Sequence, residues 1–206
     1  PEDRAYTSIP AHGPPESGAI RQGLAESLAL LSTNKDGLAI SLSASQVEGT
    51  VSRVVQGALC GDWKTWATLS EQLPSIAEAS PPDFLNAVEA AIKEPSRGFE
   101  QLFRQDRPGA GIFSECCQAG LLWALEGLAW NREYFARVVS ILGGLSALDK
   151  GGQYSNNRPR ESLTSLFHPI VRQTSCPNED RLEVLRGLIG RNRPVAWLVV
   201  RRVLEI

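Results

Sequence analysis

Residues 120–149 read GLLWALEGLAWNREYFARVVSILGGLSALD, and this stretch decides the fold class. Leu121, Leu122, Leu125, Leu128 and Ala129 make one apolar stripe at helical spacing, and Trp123, Gly127 and Trp130 make another. A helix apolar around most of its circumference is sandwiched between neighbours, which predicts that Trp123, Leu125 and Leu128 are buried. Asn131 is an N-cap residue for a second helix, and Glu133 is favourable near its positive end. Phe135, Val138, Val139, Leu142 and Leu145 form the core face of that helix. Gly143 and Gly144 weaken helix propensity, so close packing is their expected use. Two helices, 115–130 and 132–148, joined by so short a turn must pack antiparallel.

The same spacing recurs on both sides. Ile20, Leu24, Leu28 and Leu31 predict a helix over about 16–32. After an Asn34–Gly37 turn, LAISLS alternates like a strand but has no partner strand, so it reads as a connector. Val47, Val51, Val54, Val55 and Leu59 predict a helix over 44–60. Helical signal continues from Trp63 to about Ala79, with a break at Pro74. Ser80-Pro81-Pro82-Asp83 reads as a helix start with a capping serine, and Pro95 stops that helix. A short helix at 99–104 leads into the loop QDRPGAGIF. Later helices are expected over 162–171, after a cap at Ser175 or Asn178, and over 195–204. Leu182, Leu185, Leu188 and Ile189 form the expected core face of the penultimate one.

Nine or ten helices without a convincing sheet define an all-α chain. The expected architecture is an irregular α-solenoid-like stack of antiparallel helix pairs, of the HEAT, ARM or TPR kind. No strict period of 34 or 40 residues selects among them. Residues 1–15, polar and proline-rich, are expected to be a flexible arm, and 16–206 a single helical domain. The chain starts at Pro1, contains no methionine and ends in an apolar segment, which leads us to expect a piece of a longer chain.

Composition narrows the function. Hydrophobic residues make up 42% and charged residues 21%, with a net charge of −2. That is ordinary for a soluble protein and carries no overall basic footprint for nucleic acid. No apolar run approaches the roughly 20 residues of a membrane span, and the N-terminus lacks the apolar core of a signal peptide. Four scattered cysteines, Cys60, Cys116, Cys117 and Cys176, read as reduced thiols in a cytoplasmic protein. No cysteine or histidine spacing signals a metal site, and no cofactor is expected.

Candidate sites are few. Glu126 sits among apolar residues and could be a general acid, or a structural carboxylate paired to an arginine or to backbone amides of a nearby loop. His168 reads as a structural histidine. Cys116 and Cys117 lie near a helix start, where a thiol can be activated, but no base accompanies them. The loop 149–160, DKGGQYSNNRPR, offers Tyr154, Asn156, Asn157 and Arg158 as candidate binding residues. Its bland alternative is a loop whose polar groups satisfy helix ends, with Arg158 and Asn157 bonded to C-terminal carbonyls or to Glu126. Arg193, Arg201 and Arg202 form a local basic stripe, the feature that a nucleic-acid-binding reading would rest on, which the overall charge disfavours.

The strings AEASPPDFLNAVE, GLLWALEGLAW, YFARVVSILGGLSALDKGG and NRPRESL resemble a helical region of large bacterial multidomain proteins, including STAND-type NTPases and antiviral-defence sensors. That resemblance covers about residues 20–205. It implies a sensor or scaffold region whose nucleotide-binding core and effector lie elsewhere in the chain, and it transfers no catalytic residue. The expected function is therefore a non-catalytic scaffold or sensor that binds a protein partner or other domains of its own chain. No nucleic acid or membrane partner is expected. The alternative is an enzyme with a site near Glu126 and the 149–160 loop.

Overall fold

The computed structural model describes residues 15–34, 43–103, 117–150 and 157–204. Among these all regular structure is helical, with ten α-helices and three short 3-10 turns. The helices are α1 (Pro15–Thr33), α2 (Ala44–Leu59), α3 (Trp63–Thr68), α4 (Leu73–Ala79), α5 (Pro81–Lys93), α6 (Ala119–Ala129), α7 (Arg132–Leu148), α8 (Pro159–Leu166), α9 (Asn178–Arg191) and α10 (Arg193–Leu204). None is long and apolar enough to cross a membrane.

Their contacts form two rows. In one, α1 packs on α4, α4 on α6, α6 on α8 and α8 on α10. In the other, α2 packs on α5, α5 on α7 and α7 on α9. The pairs α1–α2, α4–α5, α6–α7 and α9–α10 join the rows, and α7 also meets α8. The core runs continuously between them, from Ala25 and Val47 to Ala196 and Val199.

Local chemistry sets the boundaries. Ser43 caps α2 with a full capping box, its hydroxyl accepting from the Gln46 amide while the Gln46 side chain accepts from the Ser43 amide. Asn131 caps α7 as expected, its Oδ1 accepting from the Glu133 amide at 2.9 Å. Pro74 falls in the first turn of α4, and the chain breaks before it through a 3-10 turn at Ser70–Gln72. Gly98 ends the next 3-10 turn with φ 61°, the left-handed region that favours glycine.

Ser80 departs from the expected cap. Pro81 and Pro82 carry no amide hydrogen, so the first turn of α5 offers few donors, and Ser80 Oγ instead donates to Asp83 Oδ2 at 2.6 Å. Asp83 also accepts from Gln56 Nε2 of α2 at 2.8 Å, tying two helices of the second row. Burial opposes its charge, but hydrogen bonds from Ser80, Gln56 and Ser52 outweigh that and hold its carboxyl below the ordinary 3.8. A depressed carboxylate contributes stability above its unfolded pKa and loses it as pH falls through the folded value. Thermal melts from pH 5 to pH 3 should therefore fall less steeply for Asp83→Asn than for the native chain, the difference opening below about pH 4. Parallel curves would show that Asp83 has no such coupling.

Several core faces differ from the spacing-based expectation. Leu125, Leu128, Val138 and Leu142 are buried, but Trp123 and Trp130 are 58% and 57% exposed. The inward sides of α6 abut α4, α7 and α8. Gly120, Leu121, Leu122, Ala124, Leu125, Leu128 and Ala129 fill them. The bulky indoles occupy the one face left over. On α1 the buried residues are Ala25 and Ala29, while Ile20 and Leu24 are exposed. Small side chains let α1 approach α4 closely, and the larger ones point away. Val54 of α2 and Leu182 and Ile189 of α9 are likewise exposed. Neither Ser175 nor Asn178 caps α9: Ser175 Oγ donates to the Trp130 carbonyl, and Asn178 is the first helical residue. Cβ atoms at Gly143 and Gly144 would meet Leu188 of α9 and Ile92 of α5.

Cys60 is exposed, whereas Cys176 is buried, its thiol pushed up by burial and by nearby Asp180. Iodoacetamide should label Cys60 in the folded protein and Cys176 only on unfolding. Peptide mass spectrometry of a time course checks this, and early labelling at Cys176 would place it at the surface.

Candidate functional site

The expected binding loop divides at its end. Tyr154 and Asn156 lie outside the described residues. Asn157 is exposed, and its backbone carbonyl accepts from Gln118 Nε2 at 2.9 Å. Arg158 is turned inward and only 2% exposed. Its Nη1 donates to Asp149 Oδ1 at 2.7 Å and to the Phe103 carbonyl at 3.4 Å. Asp149 is the C-cap of α7, and Arg158 is the N-cap residue of α8. The ion pair therefore closes the loop at its base and positions one helix against the next.

Glu126 is not among the partners of Arg158. It sits half-buried between Trp123 and Trp130 on the outward side of α6. Positions 123, 126, 127 and 130 share one helix face, and a Cβ at Gly127 would meet nothing within 4 Å. This makes a flat, open strip with an indole at each end and a carboxylate between.

Arg158 thus meets one carbonyl at the end of the 3-10 turn Phe99–Phe103, and Arg181 does the same at the end of α8. Arg181 Nη2 donates to the carbonyls of Leu166 and His168, both at 3.1 Å, where α8 ends. Its guanidinium lies 6.0 Å from the Phe167 ring centre. Burial, and then repulsion from Arg172, lower its pKa. The segment between α8 and α9 also closes α6: Thr174 Oγ1 donates to the Ala129 carbonyl at 2.6 Å, and the Ser175 amide to that of Trp130 at 3.1 Å. Among the described residues no group of histidine, cysteine and carboxylate side chains gathers where a metal ion could sit.

Arg181 supports one wall of an open cleft of about 600 Å³ between α8 and α10. Arg160, Glu161 and His168 line one side, and Leu198, Arg201 and Arg202 the other, with Val203 at the apolar edge. His168 Nδ1 accepts from the amides of Ile170 and Val171 at 3.2 and 2.9 Å. The neutral ring therefore carries its proton on Nε2, as a donor. Thr164 and Ser165, also on the wall, spend their hydroxyl protons on the carbonyls of Glu161 and Ser162. Among the described residues Arg160 and Arg202 form no ion pair.

The cleft lies in the basic part of an acidic chain. Residues 157–204 carry nine arginines, no lysine and four carboxylates. The rest carries twelve cationic residues and nineteen carboxylates. The basic stripe named from sequence is only partly assembled, since Arg201 and Arg202 line the cleft and Arg193 does not. Sequence reasoning missed Arg160, whose partnership with Arg202 is made by packing alone. The run of arginines without lysine was the available signal.

Comparison with protein-family models, with curated proteins and with solved structures finds no match to this chain.

Proposed function

We propose that the chain is a non-catalytic helical scaffold or sensor region that makes protein–protein or interdomain contacts. The two-row arrangement of helix pairs is the observation that carries the reading. It is what an irregular solenoid of the HEAT, ARM or TPR kind requires, and such stacks present long surfaces for other chains. The exposed Trp123 and Trp130 on α6 support it, because aromatic side chains are enriched where proteins bind each other. The sequence resemblance extends the reading to a region of a larger cytoplasmic bacterial protein.

The test uses a photo-crosslinking amino acid at position 127, on the strip between the indoles, and a control at exposed position 90 on α5. Expressed in a bacterial cytoplasm, the first is expected to join one dominant protein or domain, and Trp123→Ser with Trp130→Ser to abolish that product. Equal, diffuse crosslinking from both positions would overturn the scaffold reading.

A further inference from the structure

We propose that the cleft between α8 and α10 is a docking site for an acidic peptide segment of a partner, with carboxylates held by Arg160 and Arg202 and an apolar side chain set against Leu198 and Val203. This rests on the scaffold reading and names the chemistry of one partner.

Charge selects the occupant. Arg160 and Arg202 face one opening from two helices, and neither has an acidic partner among the described residues. A guanidinium presents a planar fork of donors that matches a carboxylate in two parallel hydrogen bonds, which lysine cannot do. The absence of lysine from residues 157–204 fits that demand. His168 adds an Nε2–H donor whose ring is fixed by two backbone amides on its other nitrogen. Arg181 and the Leu166 and His168 carbonyls hold that wall in place from behind.

The shape selects a peptide over nucleic acid. Leu198 and Val203 make part of the lining apolar, which suits an apolar side chain of a peptide and not a phosphate backbone. Nucleic-acid binders gain affinity by neutralising many phosphates along an extended track. This cleft gathers its cations at one point, and the whole chain is net acidic.

The test uses a fluorescein-labelled peptide of alternating Glu-Glu-Leu-Leu units, its Gln-Gln-Leu-Leu counterpart, and a labelled single-stranded oligonucleotide, followed by anisotropy on the full chain. The acidic peptide should bind, weaken with added salt, and lose about tenfold in affinity for each of Arg160→Gln and Arg202→Gln. Both residues are exposed, so melting temperatures should stay unchanged. Leu198→Ser should weaken the peptide while leaving its salt dependence intact. The proposal is overturned if the Gln peptide binds equally, or if the arginine variants keep full affinity. It is also overturned if the oligonucleotide binds more tightly, or if light scattering shows that the cleft is filled by a second copy of the chain. Retained crosslinking from position 127 in the Arg160→Gln, Arg202→Gln double variant separates the two readings. A failed cleft with intact crosslinking leaves the scaffold standing, and loss of crosslinking in the native chain removes the scaffold whatever the peptide does.

Discussion

Arg158→Ala should destabilise the protein by about 3–5 kcal/mol and lower its melting temperature by about 10 °C. The pair it removes is almost wholly buried, with side chains 2% and 5% exposed and 2.7 Å between Nη1 and Oδ1. Bringing two such ions out of water is costly, and their attraction repays that only while both are present. Truncation to alanine leaves the Asp149 carboxylate inside without this counter-charge, removes a donor from the Phe103 carbonyl, and opens a cavity beside α8. The native arrangement is itself imperfect, since Nη2 of Arg158 has no hydrogen-bond partner among the described residues. A net gain from the pair over an apolar filling is therefore small. The double variant Arg158→Met, Asp149→Leu should recover most of the lost stability, because it removes both charges and keeps volume. Chemical denaturation of the two single variants and the double measures the coupling directly. A fully stable Arg158→Ala chain would show that the guanidinium is not a structural anchor. A stable variant that had lost a partner would move Arg158 into a binding site.

The two arginines that matter inside the fold show where sequence reading reaches and where it stops. Local signals were legible at some helix ends and misled at others, as at Ser80 and at the start of α9. Asn131 caps α7, Pro74 follows a break, and Phe135, Val138 and Leu142 line a face because the opposite face is polar. The α6 face was not legible, because an apolar residue stands on every side of that helix. Which side lacks a neighbour depends on the placement of α4, α7 and α8. Alanines 25 and 29 defeated the α1 reading for a related reason. Spacing of large apolar residues assumes that large residues go inward, while a close helix crossing selects small ones. Arg181 reads as a surface residue until the end of α8 is laid against it. The cleft is less legible still. Arg160 and Arg202 lie on different helices, and no spacing relates them.

The second large effect is expected at Gly120. A Cβ built there would collide with the backbone carbonyl of Ser70 and also press on its hydroxyl. Alanine is the better helix former by roughly 1 kcal/mol, so an exposed glycine in α6 would gain from the change. Here the obstacle is main chain, which cannot rotate away as a side chain does. Ser70 opens the 3-10 turn that leads into α4, and its Oγ donates to the Cys117 carbonyl at 2.9 Å, just before α6 begins. Methyl insertion therefore forces α6 and this turn apart and strains the hydrogen bond that joins them. It also loosens Leu121, Leu122 and Leu125, all at most 1% exposed, from their contacts. Overpacking of this kind costs about 1–3 kcal/mol or more, and a fixed backbone obstacle puts Gly120→Ala at the upper end. Gly127→Ala supplies the internal control, since it lies in the same helix with open space before it. That change should raise stability by up to about 1 kcal/mol. Opposite signs for the two substitutions, read from urea midpoints at equal slope, are the expected result. A stabilising Gly120→Ala would mean that α6 does not approach the Ser70 turn, and that the contact joining α4 to α6 in the first row is wrong.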